Sequence, residues 1–395
     1  MSESPSIRPV QFIDNYFPVI DGVTETVHEY ARHMNAVVVC PAMERRYLEK
    51  HSFPYPLLAS ATVRIPFSRY ASAVPRFDRK LEKEIAETKP DIFHFHSPSL
   101  LGEYAVNLGR KMNLPVVATF HSKIYDAILE FTKSHAIAKA VTSRTVKLYE
   151  RCDEVWACSE ETGETLRSYG YTKPYFVMPN GTDTSFPGNV QDLKERAVSV
   201  FSLPREKHIL LFVGQMIWYK NQRLILDAFR LLREQGDDNW FLVMAGSGKD
   251  EREIQRYAAS LGLESRVLFT GLVRDRDLLR GLYLNAGLLF FPSVFDNAPL
   301  VLREAAVLGV PALLAEGSNA AAAVRKNENG FTAEPTPEAM CAEILRIFSE
   351  ENPVLVGKNA RKTIPLAWDK LMPMVLSRYQ EIIGKFNKER IDPHA

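Results

Sequence analysis

Two carboxylates, Asp296 and Glu304, bracket an almost wholly apolar run in SVFDNAPLVLREAAVLGVPA, with seven residues between them. Pro299 suits the first position of a helix and Gly309 with Pro311 suits its end, so Asp296 lies on the entering loop and Glu304 inside the helix. Leu300, Val301, Leu302, Ala305, Ala306, Val307 and Leu308 cover most of that helix. It is therefore expected to be buried, and a buried carboxylate needs a partner, from the protein or from a ligand. In FVGQMIWYKNQRLILDAF a strand ends at Gly214 and a helix begins near Tyr219. Gly214 lets a ligand approach the backbone, and Lys220 near the helix N-terminus can hold a phosphate. ATFHSK puts His121 directly after a buried strand, where an imidazole can donate to a sugar hydroxyl or a phosphate. Each has an ordinary alternative: a Gly-ended strand, a solvated lysine, a capped loop histidine.

Other motifs say less. AGSGKD holds a Gly-x-Gly after a strand but lacks the length and the terminal Lys-Ser/Thr of a phosphate loop. His94 and His96 in HFH share one side of a strand; two imidazoles make a poor metal site, and the structural reading is preferred. Gly22 falls in the first strand-to-helix turn, with Thr24 or Thr26 able to cap the helix. Cys40, Cys152, Cys158 and Cys341 show no C-x-x-C spacing and read as reduced packing residues.

These groups need a scaffold, and the hydrophobic rhythm predicts one. AVVVC, DIFHFH, PVVATF, EVWACS and YFVMPN alternate with amphipathic helices. The pattern breaks after PNGTDTSFPGNVQ and restarts with HILLFVG, WFLVMAG, RVLFTG, GLLFFPS and VPALLA. Two doubly wound, Rossmann-like α/β domains follow, over residues 1–190 and 191–365, with a last helix in 366–395 of undetermined placement. The Asn180-Gly181 turn marks the exit from the first sheet. In such sheets ligands bind beyond the carboxyl ends of the strands, and two facing domains offer a cleft. The 395 residues, 46% of them hydrophobic, suffice for two or three cores, and a net charge of +1 argues against nucleic acid as the main partner. No apolar run approaches the roughly 18 to 20 residues that span a bilayer, and the N-terminus lacks a signal core. A cytoplasmic protein is expected, with peripheral contact at the inner membrane face left open.

Taken together, FPVIDGV, TFHSK, VWACSE, VMPNGTD, FVGQMIWYKN, LVMAGSGKD, VLFTGLVRD, FFPSVFDNAPLVLREAAVLGVPAL and NGFTAE resemble retaining glycosyltransferases of family 4. The most specific element is the carboxylate pair Asp296 and Glu304. The resemblance implies a GT-B fold and transfer of a hexose from a nucleoside diphosphate sugar, a UDP-sugar first, to a glycan or lipid-linked hydroxyl. The reaction would retain configuration and need neither metal nor cofactor. It implies that Glu304 accepts from the donor ribose, that Asp296 faces the transferred sugar, and that Lys220 neutralises the diphosphate. The backbone around Asn297, Ala298 and Leu300 would assist Lys220, and Gly214 and Gln215 would line the donor. Gly22 would let the first domain close on the phosphates, His121 would contact the sugar or β-phosphate, and the Val273 backbone would touch the base.

Three positions depart from the family pattern: Gln215 stands for Arg, Pro299 for Gly and Asp296 for Glu. A cation and an N–H donor are lost, and a carboxylate is shortened by one methylene. The rival readings are a catalytically weak nucleotide-sugar binding protein or inactive transferase subunit, and a sugar-nucleotide epimerase. The acceptor is not named by any residue. The segment from Ile124 to Arg151 carries Lys133, Lys139, Arg144, Lys147 and Arg151 against Asp126, Glu130 and Glu150, which is either a solvated helix face or a weakly basic one suited to anionic lipid.

Overall fold

A computed structural model of the chain describes residues 7–18, 21–42, 52–64, 71–235 and 239–391. Val19 and Ile20 of the FPVIDGV stretch lie outside the described residues. The chain divides into two compact units, Met1–Gly181 with Trp368–Ala395, and Thr182–Ala367. The division thus falls ahead of the helix Val190–Phe201, and the terminal helix Trp368–Ile391 belongs to the first unit.

The first unit is built on strands β1 (Pro9–Phe12), β2 (Val37–Pro41), β3 (Leu57–Ser60), β6 (Ile92–Phe95), β7 (Val116–Phe120), β8 (Glu154–Ala157) and β9 (Phe176–Val177). A short hairpin, β4 (Thr62–Arg64) and β5 (Ala71–Ala73), stands apart from the main sheet. The sheet order is β3-β2-β1-β6-β7-β8-β9, every pair parallel. Parallel strands covered on both faces carry side chains that avoid water in both directions, which is why AVVVC and PVVATF read as continuous apolar runs. Phe12, Phe93, Phe95 and Phe120 fill one face, and all four are fully buried. The terminal helix packs on helix Gly22–Met34 and sends Tyr379 into the interior, stacked on Trp156. Gly181 owes its place to this helix: a Cβ there would lie 2.2 Å from the Trp368 ring.

Among the described residues the second unit has six strands, β10 (His208–Val213), β11 (Trp240–Ala245), β12 (Val267–Gly271), β13 (Leu288–Phe291), β14 (Ala312–Ala315) and β15 (Phe331–Ala333). Their order is β12-β11-β10-β13-β14-β15, again all parallel. In both units the strand order reverses beside the first strand, between β1 and β6 and between β10 and β13. At such a reversal the two connecting helices leave on opposite faces and the strand-end loops part, opening a crevice. Lys220 and Asp296 sit on these loops in the second unit and Gly22 follows β1 in the first, whereas His121 follows β7 and Val273 follows β12.

All four cysteines are buried and unpaired by disulfide. Among the described residues no helix is long and apolar enough to cross a membrane.

Candidate functional site

In the second unit the loops after β10 and β13 meet. Asn221 adopts a left-handed φ of 63°, a conformation Asn tolerates, and its amide donates to the Pro292 carbonyl at 2.8 Å, tying one loop to the other. Gln222 is fully buried and donates to the Gln215 carbonyl at 2.7 Å, holding the first loop from behind. The Gly-x-Gly of AGSGKD packs on the same loop. A Cβ on Gly246 would lie 1.9 Å from the Gly214 carbonyl oxygen, and one on Gly248 would lie 2.3 Å from that of Met216. These glycines therefore make room for protein backbone. Asp250 finishes the brace by accepting the Trp218 N–H at 3.0 Å.

On this braced base Lys220 Nζ meets Asp296 Oδ1 at 2.6 Å, and Ser293 donates to Asp296 Oδ2 at 2.5 Å. Both oxygens of Asp296 are thus engaged and the carboxylate is held in one orientation. The lysine and aspartate side chains keep 16% and 20% of their exposure, so the pair is neither fully desolvated nor freely hydrated. An ammonium has three donors, and Lys220 can bind an anion while keeping Asp296. Asn297 is buried and accepts from Asn319 at 2.8 Å, fixing the turn that leads through Ala298 to the helix.

That helix runs from Leu300 to Val307. Pro299 is its N-cap rather than its first helical residue, and it supplies no side-chain acceptor for the first-turn N–H groups. Gly309, at φ 74°, closes the C-terminus, with the Val310 N–H on the Ala305 carbonyl at 2.9 Å. Leu302, Ala305, Ala306 and Val307 are buried, and Glu304 is half-buried. Tyr283 donates its hydroxyl to Glu304 Oε2 at 3.1 Å, and burial, then the charge of Glu304, raise that phenol well above its ordinary pKa. The protein itself thus partners both carboxylates. Gln215 is exposed on its loop, and Val273 packs partly against the core on the loop after β12. The helix expected near Tyr219 begins only at Gln222, so Lys220 stands in the single 3-10 turn Trp218–Lys220 ahead of it.

In the first unit Gly22 opens helix Gly22–Met34. Asp21, not Thr24 or Thr26, is the cap, accepting the Val23 and Thr24 N–H groups at 3.0 and 2.8 Å. Thr26 instead donates back to the Gly22 carbonyl at 2.7 Å. His121 follows β7 and points to a buried polar row. Its Nε2 lies 3.0 Å from His96 Nδ1, and its Nδ1 lies 3.7 Å from Cys158 Sγ. His96 Nε2 meets Gln11 Oε1 at 2.8 Å, and His94 bridges Tyr379 and Thr119. His94 and His96 are buried and satisfied by protein, as the structural reading expects. Burial depresses all three imidazoles. His121 comes down to about 4, and His94 and His96 fall well below their ordinary value, lowered further by neighbouring rings. Near the same strand reversal, Asp14 accepts the Ser99 hydroxyl, and burial pushes its carboxyl up to about 6.

Ile124–Arg151 is not one basic helix. It breaks at Lys133, φ 53°, into Ile124–Thr132 and His135–Tyr149. Lys133 pairs with Glu130, Arg144 with Glu103, and Arg151 donates to Asn107, so much of the apparent excess is spent locally. Beside the break Phe131 is 82% exposed.

Gln11, Tyr283, Ser293 and Asn319 were not reached from sequence. They act on the predicted residues across the fold, and only Ser293, three residues before Asp296, lay within motif range.

A family model described as "Glycosyl transferases group 1" matches residues 194–363, and one described as "Glycosyltransferase Family 4" matches residues 20–186. The GDP-mannose-dependent alpha-mannosyltransferase of Mycolicibacterium smegmatis is 21% identical, over 94% of this chain and 96% of its own. The alpha-monoglucosyldiacylglycerol synthase of Streptococcus pneumoniae is 24% identical, over 76% of this chain and 69% of its own. In fold, the chain is similar to Anabaena Alr3699/HepE in complex with UDP, at a TM-score of 0.74 and 16% identity, covering 95% of this chain and 100% of that one.

Proposed function

Since the chain belongs to the GT-B glycosyltransferases, joining a family 4 domain to a group 1 domain, we propose that it moves a hexose from a UDP-sugar to a glycan or lipid-linked hydroxyl with retention of configuration. The carrying observation is the Lys220–Asp296 pair on the two loops that flank the strand-order reversal, with Glu304 in the helix that follows Asp296. Lys220 has donors to spare for a diphosphate, and the first turn of helix Leu300–Val307 lacks a side-chain cap and offers N–H groups to the same charge, with Asn297, Ala298 and Leu300 leading into it. Glu304, held by Tyr283, keeps acceptor capacity for ribose hydroxyls. Within the second unit Gly214 and Gln215 line the donor and the Val273 backbone meets the base.

In the reaction the bond from the anomeric carbon to the diphosphate breaks while the acceptor oxygen bonds the same face. The acceptor proton passes to the departing phosphate. Fixed donors aimed at the leaving oxygen stabilise the charge that develops there. Asp296, with both oxygens engaged, acts by position and charge rather than as the nucleophile of a retaining glycosidase. Lys220 supplies a cation to the proposed diphosphate site despite Gln215, and the presence of Lys220, Glu304 and His121 together supports the enzyme over the binding-only reading. HepE is described with UDP and with UDP-glucose, which supports a uridine donor. The GDP-mannose-dependent relative makes guanosine the competing base. A lipid-linked acceptor is supported by the glucosyldiacylglycerol synthase relative.

The test is transfer of labelled hexose from UDP-glucose, UDP-galactose and GDP-mannose to vesicle-borne glycolipid, to polysaccharide and to small soluble alcohols, with the product anomer read by NMR. An α-linked product on lipid or glycan is expected. Inverted product, or efficient transfer to small alcohols alone, overturns the reading.

A further inference from the structure

Lys220 is carried by very little secondary structure. The 3-10 turn Trp218–Lys220 spans three residues, and its N-cap, Ile217, gives it no side-chain acceptor. A single turn does not hold its own geometry, because it fixes many dihedrals for each hydrogen bond it forms. The surrounding loop has to supply the rest. Gln222, the first residue of helix Gln222–Glu234, is fully buried, and its Nε2 donates to the Gln215 carbonyl at 2.7 Å. The same carbonyl accepts the Ile217 N–H at 3.0 Å, and the Ile217 carbonyl accepts the Lys220 N–H at 2.9 Å. Three hydrogen bonds in series thus lead from the Gln222 amide to the Lys220 backbone. The peptide group joining Gln215 to Met216 is gripped at both ends, since the Met216 N–H donates to the Ser247 carbonyl at 3.1 Å.

Only half of the Gln222 amide is used in this way. A carbonyl has no proton to give, so Nε2 must face Gln215 and the orientation of the amide is fixed. Its Oε1 is then buried with no hydrogen-bond partner among the described residues. A buried acceptor left unpaired costs folding free energy, and an apolar side chain of the same length would avoid that cost. The amide therefore gains its value from where it holds the loop. We infer that Gln222 is a positioning residue: acting through the Gln215 carbonyl and both peptide groups of Ile217, it sets the turn from which Lys220 reaches Asp296, and leaves a buried acceptor unpaired in doing so. The consequence for a ligand rests on the proposed function. Lys220 meets the diphosphate of a nucleotide in one orientation, so loss of the amide weakens that binding without unfolding the chain.

The test compares the full chain with Gln222→Met, which keeps the length of the side chain and removes both the donor and the unpaired acceptor. Hydrogen exchange is followed by mass spectrometry, without nucleotide, in peptides covering Met216–Lys220. These amides should exchange about 10-fold faster in the variant, the scale for losing one hydrogen bond, while peptides from β10 and β11 are unchanged. The melting temperature should stay equal or rise. Calorimetry with UDP and with GDP should show the tighter of the two weakened about 10-fold by Gln222→Met and further by Lys220→Ala. Unchanged exchange across Met216–Lys220 overturns the inference. So does a lower melting temperature or a failure to fold, which would make the amide a stability element. Nucleotide binding that falls in Lys220→Ala but not in Gln222→Met overturns it as well. If neither variant alters nucleotide binding, the reading of the site fails, and the exchange rates and melting temperature decide the inference on their own.

Discussion

Lys220–Asp296 in the second unit and His121–His96–Gln11 in the first both sit beside a reversal of strand order, yet they handle charge in opposite ways. The second unit keeps a full ion pair at partial exposure, where water still screens it and an incoming anion can share the ammonium. The first holds the buried His94 and His96 and the partly buried His121, lowers all three by desolvation, and satisfies them with groups that carry no charge. One arrangement leaves an ammonium that can share an anion, as the proposed function requires, and the other ties its polar groups to one another.

The largest effect that would sharpen this contrast is expected at Lys220. Lys220→Ala should lower nucleotide release from the donor by about 100-fold or more, the scale for losing one preorganised donor to a leaving charge. The chain should stay folded in a thermal melt. A near-normal rate would remove the second unit from the chemistry. Next comes Glu304→Ala, expected to weaken donor binding by about 10- to 100-fold, since hydrogen bonds to a charged group contribute about 1.5–3 kcal/mol. Tyr283→Phe should reproduce about 1 kcal/mol of that loss by freeing the carboxylate. Calorimetric titration of both variants checks the order.

A third prediction turns on pH. The folded chain holds His121 near 4 against an ordinary value near 6.5, so between those values the unfolded chain binds the extra proton. Stability from this ring is therefore complete above about 6.5 and is lost as pH falls toward 4, by at most about 1.4 kcal/mol per unit. Asp14, raised to about 6, has the opposite sign: over about pH 4 to 6 the folded chain holds the extra proton, so its contribution falls as pH rises. Denaturant titrations at several pH values should show a shallower acid loss for His121→Gln and a steeper one for Asp14→Asn. The smallest effect is expected from Gln215→Arg. An exposed cation added to the loop after β10 should tighten diphosphate binding by a few-fold, measurably so only at low salt.

The two regions were also unequally legible. The parallel sheets announced themselves because strands buried on both faces are apolar along their whole length. Asp296 and Glu304 stood out because carboxylates in such a run demand an explanation. Local start signals were less faithful: Pro299 is a cap, Asp21 outcompetes Thr24 and Thr26, and a 3-10 turn precedes the helix after Lys220. The glycines of AGSGKD read in sequence only as a weak signal without the features of a phosphate loop, and in the fold they admit the Gly214 and Met216 backbone, a long-range fit that no local pattern encodes. Gln11 was invisible for the same reason. A glutamine in an apolar strand gains its meaning only when β6 brings His96 alongside and the terminal helix supplies Tyr379 from 368 residues away in the chain.

The most direct measurement of the central claim is thermal stabilisation by uridine, guanosine and adenosine diphosphate sugars at equal concentration, followed by release of the nucleoside diphosphate. One uridine donor is predicted to raise the melting temperature and to be slowly hydrolysed, with hydrolysis lost in Lys220→Ala and stabilisation reduced in Glu304→Ala. Stabilisation by none of the donors, or turnover unchanged in both variants, would contradict the assignment of the second unit as the donor site.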